Sequence, residues 1–405
     1  MTAAALTLTA RWLFPVDGPP LERGTITIAG ERIAAVEPHG VRAADVDLGN
    51  VAVLPGFVNA HTHLDLGALH GKCPPTPDFT AWLRQVIAHR RAALPDIPAY
   101  TIHEGLAQSI RHGTTLLGDI EGGPTNLFRG AADLRLVIFK ELLGLPRERV
   151  QPAWEAGVTW LHRHLKQKLP ADVRVGLSPH APYSVHRLLF RHAAARSREA
   201  NVPIAVHLAE TRAELVLLEK RTGPFVSFLT DLGVWHEDGL IAAPQQVVEL
   251  FADAGPTLLV HCNYLDPNAP IPGNASVVYC PRTHAAFGHP PHPFREFLAR
   301  GVRVALGTDS LASNPDLDVL AEARFVHARY GDVPGGALLR MLTLSGAEAL
   351  GWADETGSLT PGKSADLVVL PLPDEDCADP HTLIFESAQS VQSVMFRGRW
   401  TVGQH

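Results

Sequence analysis

The chain is poor in cysteine and gives its few cysteines no structural arrangement. Cys73, Cys262, Cys280 and Cys377 are scattered through 405 residues with no CxxC spacing, a pattern that suits a reducing compartment better than a disulfide framework. No long basic run is present and the formal net charge is −7, so nucleic acid is not an expected partner. No apolar run approaches the roughly 20 residues that a membrane span needs, and no membrane association is expected. The opening MTAAALTLTARWLF has no cationic segment ahead of its apolar stretch, and Arg11 interrupts it. Its alternation reads as a strand rather than a signal peptide. No GxGxxG follows an early strand, and neither an internal repeat nor a low-complexity segment is present. What remains is an ordinary globular composition, 46% apolar and 19% charged, and the expectation is a soluble cytoplasmic protein.

A chain of 405 residues exceeds the size at which one core stops growing, so a large domain with a small one is expected. Residues 1–55 carry short strand-like runs such as GTITIAG and VAVLPG, and residues 356–405 carry SADLVVLPL and SVMFRGRWTV. Together they predict a small β-sandwich built from both termini. Residues 56–355 alternate differently. Eight apolar runs, VLPGFVNAH, GTTLLGD, LRLVIFKE, VRVGLSPH, VPIAVHLAE, TLLVHCN, ASVVYCPR and VRVALGTD, are mostly separated by helix-like stretches. In TIHEGLAQSIRHG, for example, Ile102, Leu106 and Ile110 recur at helical spacing. Near-continuous apolar strands alternating with helices predict an α/β fold, a parallel (β/α)8 TIM barrel.

In such a barrel, chemistry sits at the C-terminal ends of the strands. The first run ends in His61 and His63, which share a strand face with Phe57 and Asn59. The fifth ends in His207 with Glu210 just beyond, the sixth in His261, and the eighth in Asp309. Each residue alone has an ordinary reading. His207 could be a satisfied core histidine, and Asp309 could cap the following helix. Their joint position at strand ends points instead to a metal site. Three histidines and a carboxylate suit one divalent ion, Zn2+ first and Fe2+ second. Such an ion activates water, and Glu210, three residues past a ligand, is placed to move its protons.

At these motifs the chain resembles the amidohydrolase superfamily, in the branch of cytosine- and adenosine-type deaminases and triazine chlorohydrolases. PGFVNAHTH, HLAE, HC, GTDS and GSLTPGKSADLVVL occur in that branch's order. The resemblance implies His61, His63, His207 and Asp309 as metal ligands, and Glu210, His261 and Asp309 as the catalytic group. Binuclear members carry a carboxylated lysine after the fourth strand, where this chain reads SPHAPYS; one metal is therefore expected. That segment resembles the HAPY stretch of adenosine-type deaminases and implies His180 as a substrate contact. Where many relatives carry a ribose-gripping glutamate after FxxW, this chain has Arg91, and Thr283 and His284 replace the usual Ser–Asn pair. With FKELLG after the third strand, the likeness is greatest to aminodeoxyfutalosine deaminases of menaquinone biosynthesis. Their substrate joins an aminopurine nucleoside to a benzoate, which implies Trp82, Phe287 and Phe294 packing on its rings and Arg282 pairing its carboxylate, with His284 as a further substrate contact. The expected partner is a small-molecule substrate, with a homodimer possible. A chlorohydrolase, a cyclic amide hydrolase and a non-catalytic metal-binding barrel remain as alternatives.

Overall fold

The computed structural model describes residues 5–93, 99–123, 133–167 and 169–403. Its centre is an eight-stranded parallel sheet in sequential order. The strands are β1 (Phe57–Thr62), β2 (Thr114–Glu121), β3 (Arg135–Leu142), β4 (Val173–Pro179), β5 (Ile204–Leu208), β6 (Thr257–His261), β7 (Ala275–Tyr279) and β8 (Val304–Leu306). Nearly every strand residue is buried, as expected when helices cover one face and the closed barrel fills the other. Helices occupy the predicted connections: Ala99–Arg111 buries Ile102 and Leu106, and Arg187–Ala200 buries Leu189, Phe190 and Ala193.

The seam between β8 and β1 is closed largely by side chains. Asn59 is fully buried; its Oδ1 accepts from the Thr308 amide at 3.1 Å and its Nδ2 donates to Thr308 Oγ1 at 2.8 Å. Beside it, the Asp309 amide donates to the His61 carbonyl at 3.1 Å. Gly307 lies so close to this strand that a Cβ would stand 3.0 Å from His61 Cβ. The seam thus fixes His61 and Asp309 against each other before any ligand arrives.

The terminal segments form two further sheets, of four and six strands. The six-stranded sheet contains both ends of the chain: Leu367–Pro371 runs antiparallel to Val51–Pro55, with Leu367 opposite Pro55. A buried ion pair ties this unit to the barrel floor. Arg135, at the start of β3, meets Asp366, with the Phe396 ring 5.0 Å from its guanidinium carbon. Among the described residues, no helix is long and apolar enough to cross a membrane.

Candidate active site

The C-terminal ends of β1, β5, β6 and β8 converge on one point. Single ligand atoms of His61, His207 and His261 lie within 4.8 Å of one another, and so do those of His61, His63 and Asp309. His63 Nε2 is 3.1 Å from His207 Nε2, and Asp309 Oδ1 is 3.6 Å from His61 Nε2 and 3.7 Å from His63 Nε2. The β5–β6 register, Leu208 opposite His261, brings His207 and His261 to nearly the same height.

The donor set fits a cation. Both ring nitrogens of His61 are buried with no hydrogen-bond partner, a costly state unless they have some other ligand. His207 Nδ1 donates to the His180 carbonyl at 3.0 Å, so its Nε2 carries the lone pair. Burial first, then neighbouring imidazoles, holds His207 well below the usual histidine range. Burial first, then the neighbouring His61, does the same to His63. Neutral imidazoles are the form that binds metal. Asp309 is buried, which alone would raise its pKa, yet the surrounding histidines, His61 first, pull it below the usual carboxylate range. Its Oδ2 accepts from Ser313 at 2.8 Å, and Ser313 Oγ lies 3.1 Å from Thr283 Oγ1. Asp309 does not cap the following helix: Asp318 does, accepting from the Ala321 amide.

Glu210 stands at 3.4 Å from His261 Nε2. Burial, then the charges of Asp309 and Glu214, push its carboxyl well above the usual range. Its backbone is fixed by Glu214, whose two oxygens accept from the Ala209 and Glu210 amides at 3.0 and 2.9 Å. Glu214 belongs to a Thr–x–x–Glu cap: Thr211 accepts from the Glu214 amide and starts the helix Arg212–Lys220. Ala209, His261, Cys262 and Asp309 all have positive φ, between 48 and 69°. Four strained non-glycine residues at one site mark backbone held in place by its surroundings.

A cavity of about 500 Å3 opens from this cluster. Its wall runs from His63, His207, His261, Asp309 and Glu210 past His180 and Glu141 to a stretch that includes Phe79, Trp82, Val86 and Phe228. His180 Nδ1 lies 2.6 Å from Ser184 Oγ, and its Nε2 is 3.9 Å from Glu141. Trp82 lines the cavity with its indole N–H bound to the Cys73 carbonyl. Arg90, Arg91 and Arg149 line the same cavity. Arg90 is engaged by Asp65 at 2.7 Å, whereas the exposed Arg91 and Arg149 have no ion pair among the described residues.

Four residues expected at the substrate are not on the cavity wall: Phe287 is buried against the Trp82 ring at 5.0 Å, and Phe294 is buried against Tyr279 at 5.2 Å. Arg282 is not on the cavity wall: its guanidinium binds Asp316 at 2.5 and 3.0 Å and the fully buried Glu322 at 2.6 Å. Four of its five N–H donors are so committed, the fourth to the Asp318 carbonyl at 3.2 Å, which leaves no two-pronged fork for a substrate carboxylate. His284 is buried behind β7, its ring 5.6 Å from Tyr279 and 5.4 Å from His289. The sequence reading also passed over Glu141, Arg149, Glu214 and Ser313. Glu141 sits at the end of β3, so the strand-end rule would have found it, and Thr211–x–x–Glu214 is a readable cap. Arg149 and Ser313 carry no local signal.

Residues 52–401 match the family model for amidohydrolases. The chain belongs to the amidohydrolase family. It is a hydrolytic enzyme, as the order of its motifs implied. A 5-methylthioadenosine/S-adenosylhomocysteine deaminase of Moorella thermoacetica is 30% identical over 92% of this chain and 85% of its own length. An aminodeoxyfutalosine deaminase of Nitratiruptor is 28% identical over 80% of each chain. The crystal structure of Helicobacter pylori aminofutalosine deaminase with methylthio-coformycin superposes with a TM-score of 0.86 at 22% identity, covering 98% of this chain and 100% of that one.

Proposed function

We propose that this amidohydrolase replaces the amino group of an aminopurine nucleoside by oxygen, releasing ammonia, and that the sugar carries a carboxylated aromatic extension. 6-Amino-6-deoxyfutalosine has that chemistry. The observation that carries the reaction type is Glu210, a buried carboxyl pushed well above its usual range and only 3.4 Å from His261. An acid that holds its proton more tightly than an ordinary carboxyl suits a leaving group that must be protonated, as ammonia must and chloride need not.

His61, His63, His207 and Asp309 would hold one divalent ion, Zn2+ by its preference for imidazole. When bound, that ion supplies the Lewis acidity that makes water nucleophilic at neutral pH. The chain's own groups do the rest. Glu210 protonates a ring nitrogen beside the amino-bearing carbon, drawing electrons from that carbon. His261, its pKa pushed down to about 3 by burial, stays neutral and holds the attacking oxygen by hydrogen bonding. Asp309, ionised in its ring of histidines, takes the proton that the water gives up and returns it to the departing amine. The carbon–nitrogen bond then breaks, ammonia leaves, and the added oxygen passes its remaining proton to the Glu210 carboxylate, which restores the acid and leaves a carbonyl on the ring. His180 lies between this group and the apolar wall, where a purine edge would rest.

The extension is read from the far part of the cavity. Phe79, Trp82, Val86 and Phe228 offer an apolar wall, and Arg91 and Arg149 offer guanidiniums without a counter-charge among the described residues. Two such cations favour a carboxylate without an ammonium beside it, a benzoate over an amino-acid tail. Ammonia release from aminodeoxyfutalosine, S-adenosylhomocysteine, methylthioadenosine and adenosine tests the reading. The first should have the highest kcat/KM. Release from none of them would overturn the deaminase assignment, and equal use of the neutral nucleosides would overturn the anionic extension.

A further inference from the structure

Behind the site, outside the cavity wall, the segment Gly288–Phe294 carries a buried histidine that the mechanism above does not use. His292 is 2% exposed. Its Nε2 lies 2.6 Å from the His261 carbonyl, and since a carbonyl only accepts, Nε2 must carry the hydrogen and donate it. We infer that His292 is a positioning residue for the reaction, fixing the His261 backbone so that the His261 ring faces Glu210. The inference rests on the role given to His261 above.

The geometry explains why such a donor is needed. At the end of β6, His261 and Cys262 take consecutive left-handed conformations, with φ of 69 and 55°. Two non-glycine residues in that region do not stay there unless the surroundings hold them. The Cys262 amide donates to the Leu208 carbonyl at 2.9 Å, and the Asn263 side chain donates to the Glu210 carbonyl at 2.9 Å. These bonds hold the far side of the turn. The His261 carbonyl points the other way, out of the strand ladder, and among the described residues only His292 donates to it. A buried carbonyl without a donor would favour rotation of that peptide. Rotation would swing the imidazole that stands 3.4 Å from Glu210.

His292 is itself held tightly. Its ring stacks on Tyr279 with centroids 4.1 Å apart and planes 25° apart, and Tyr279 stacks in turn on Phe294 at 5.2 Å. Pro290, Pro291 and Pro293 flank it in sequence, limiting the backbone that carries it. A stiff segment with a ring clamped on its neighbours is suited to hold another residue's backbone.

The test compares three substitutions of His292, with one of His261 as the control, on the metal-loaded full chain. His292→Phe keeps an aromatic ring against Tyr279 and removes the donor. It should lower kcat by about 10- to 100-fold, the range usual for a residue that orients a site from behind, with KM and metal content unchanged. Amide exchange across residues 261–264 should quicken. His292→Gln, whose amide can reach the same carbonyl, should recover most of the rate, and the shorter His292→Asn should not. Wild-type turnover in His292→Phe would overturn the inference, as would equal loss in the Gln and Asn variants. The latter comparison holds even if the Phe variant does not fold. His261→Asn separates the two readings: unchanged turnover there removes His261 from the mechanism whatever His292 does.

Discussion

Replacing Glu210 by glutamine separates catalysis from stability. The residue is 6% exposed, and burial is the first cause of its raised pKa, with Asp309 and Glu214 adding like-charge repulsion. Glutamine keeps the shape and loses the transferable proton. General acid–base groups contribute roughly 10^2- to 10^4-fold, about 3–5 kcal/mol of barrier, so kcat should fall by that much with metal content unchanged. Stability should move the other way. A carboxyl whose folded pKa lies above its unfolded value lends stability that is complete below the unfolded value and is lost as pH rises through the folded one. Wild type therefore loses this contribution on going alkaline, and the variant has none to lose. The difference in Tm, variant minus wild type, should grow as pH rises above the unfolded carboxyl value. Ammonia release, elemental analysis and thermal unfolding across a pH series give the answer. A kcat within tenfold of wild type refutes Glu210 as the proton donor, and a Tm difference that does not change with pH refutes its raised pKa.

The remaining expectations are as direct. Arg282→Ala should leave KM unchanged but destabilise by about 3–5 kcal/mol in denaturant titration, because it strands the buried Glu322 carboxylate without its cation. Replacing Arg91 and Arg149 together by alanine should raise KM for a carboxylated substrate about tenfold or more, two exposed charged contacts being worth roughly 1 kcal/mol each, and leave a neutral nucleoside unaffected. Elemental analysis should find one divalent ion per chain and much less in His61→Ala, and chelation should lower Tm because only the folded ligand set binds the ion. Two tightly bound ions would overturn the single-metal reading.

Much of this enzyme was legible one strand at a time. His61 and His63 two residues apart, VHLAE, VHC and GTDS each place a polar residue at the end of an apolar run, and the parallel barrel turns strand ends into a common site. That reasoning is local: it needs only the period of the strand and the rule for its C-terminal end. The family resemblance rested on the same stretches.

Arg282 shows where local reasoning stops. A lone arginine beside the seventh strand looks free in the sequence, but its partners Asp316 and Glu322 lie 34 and 40 residues downstream. Its charge was already spent inside the fold. Arg91 and Arg149 share the cavity only because the helix Phe79–Ala93 and the start of the helix Arg147–Lys166 flank one barrel mouth. The sequence by itself determined which residues could bind a metal and move a proton, because those depend on side-chain chemistry and strand period. Only the tertiary structure decided which charges were left for a substrate and which donor holds the His261 turn. Hydrogen bonds and ion pairs are settled by distances across the fold, which no local pattern encodes.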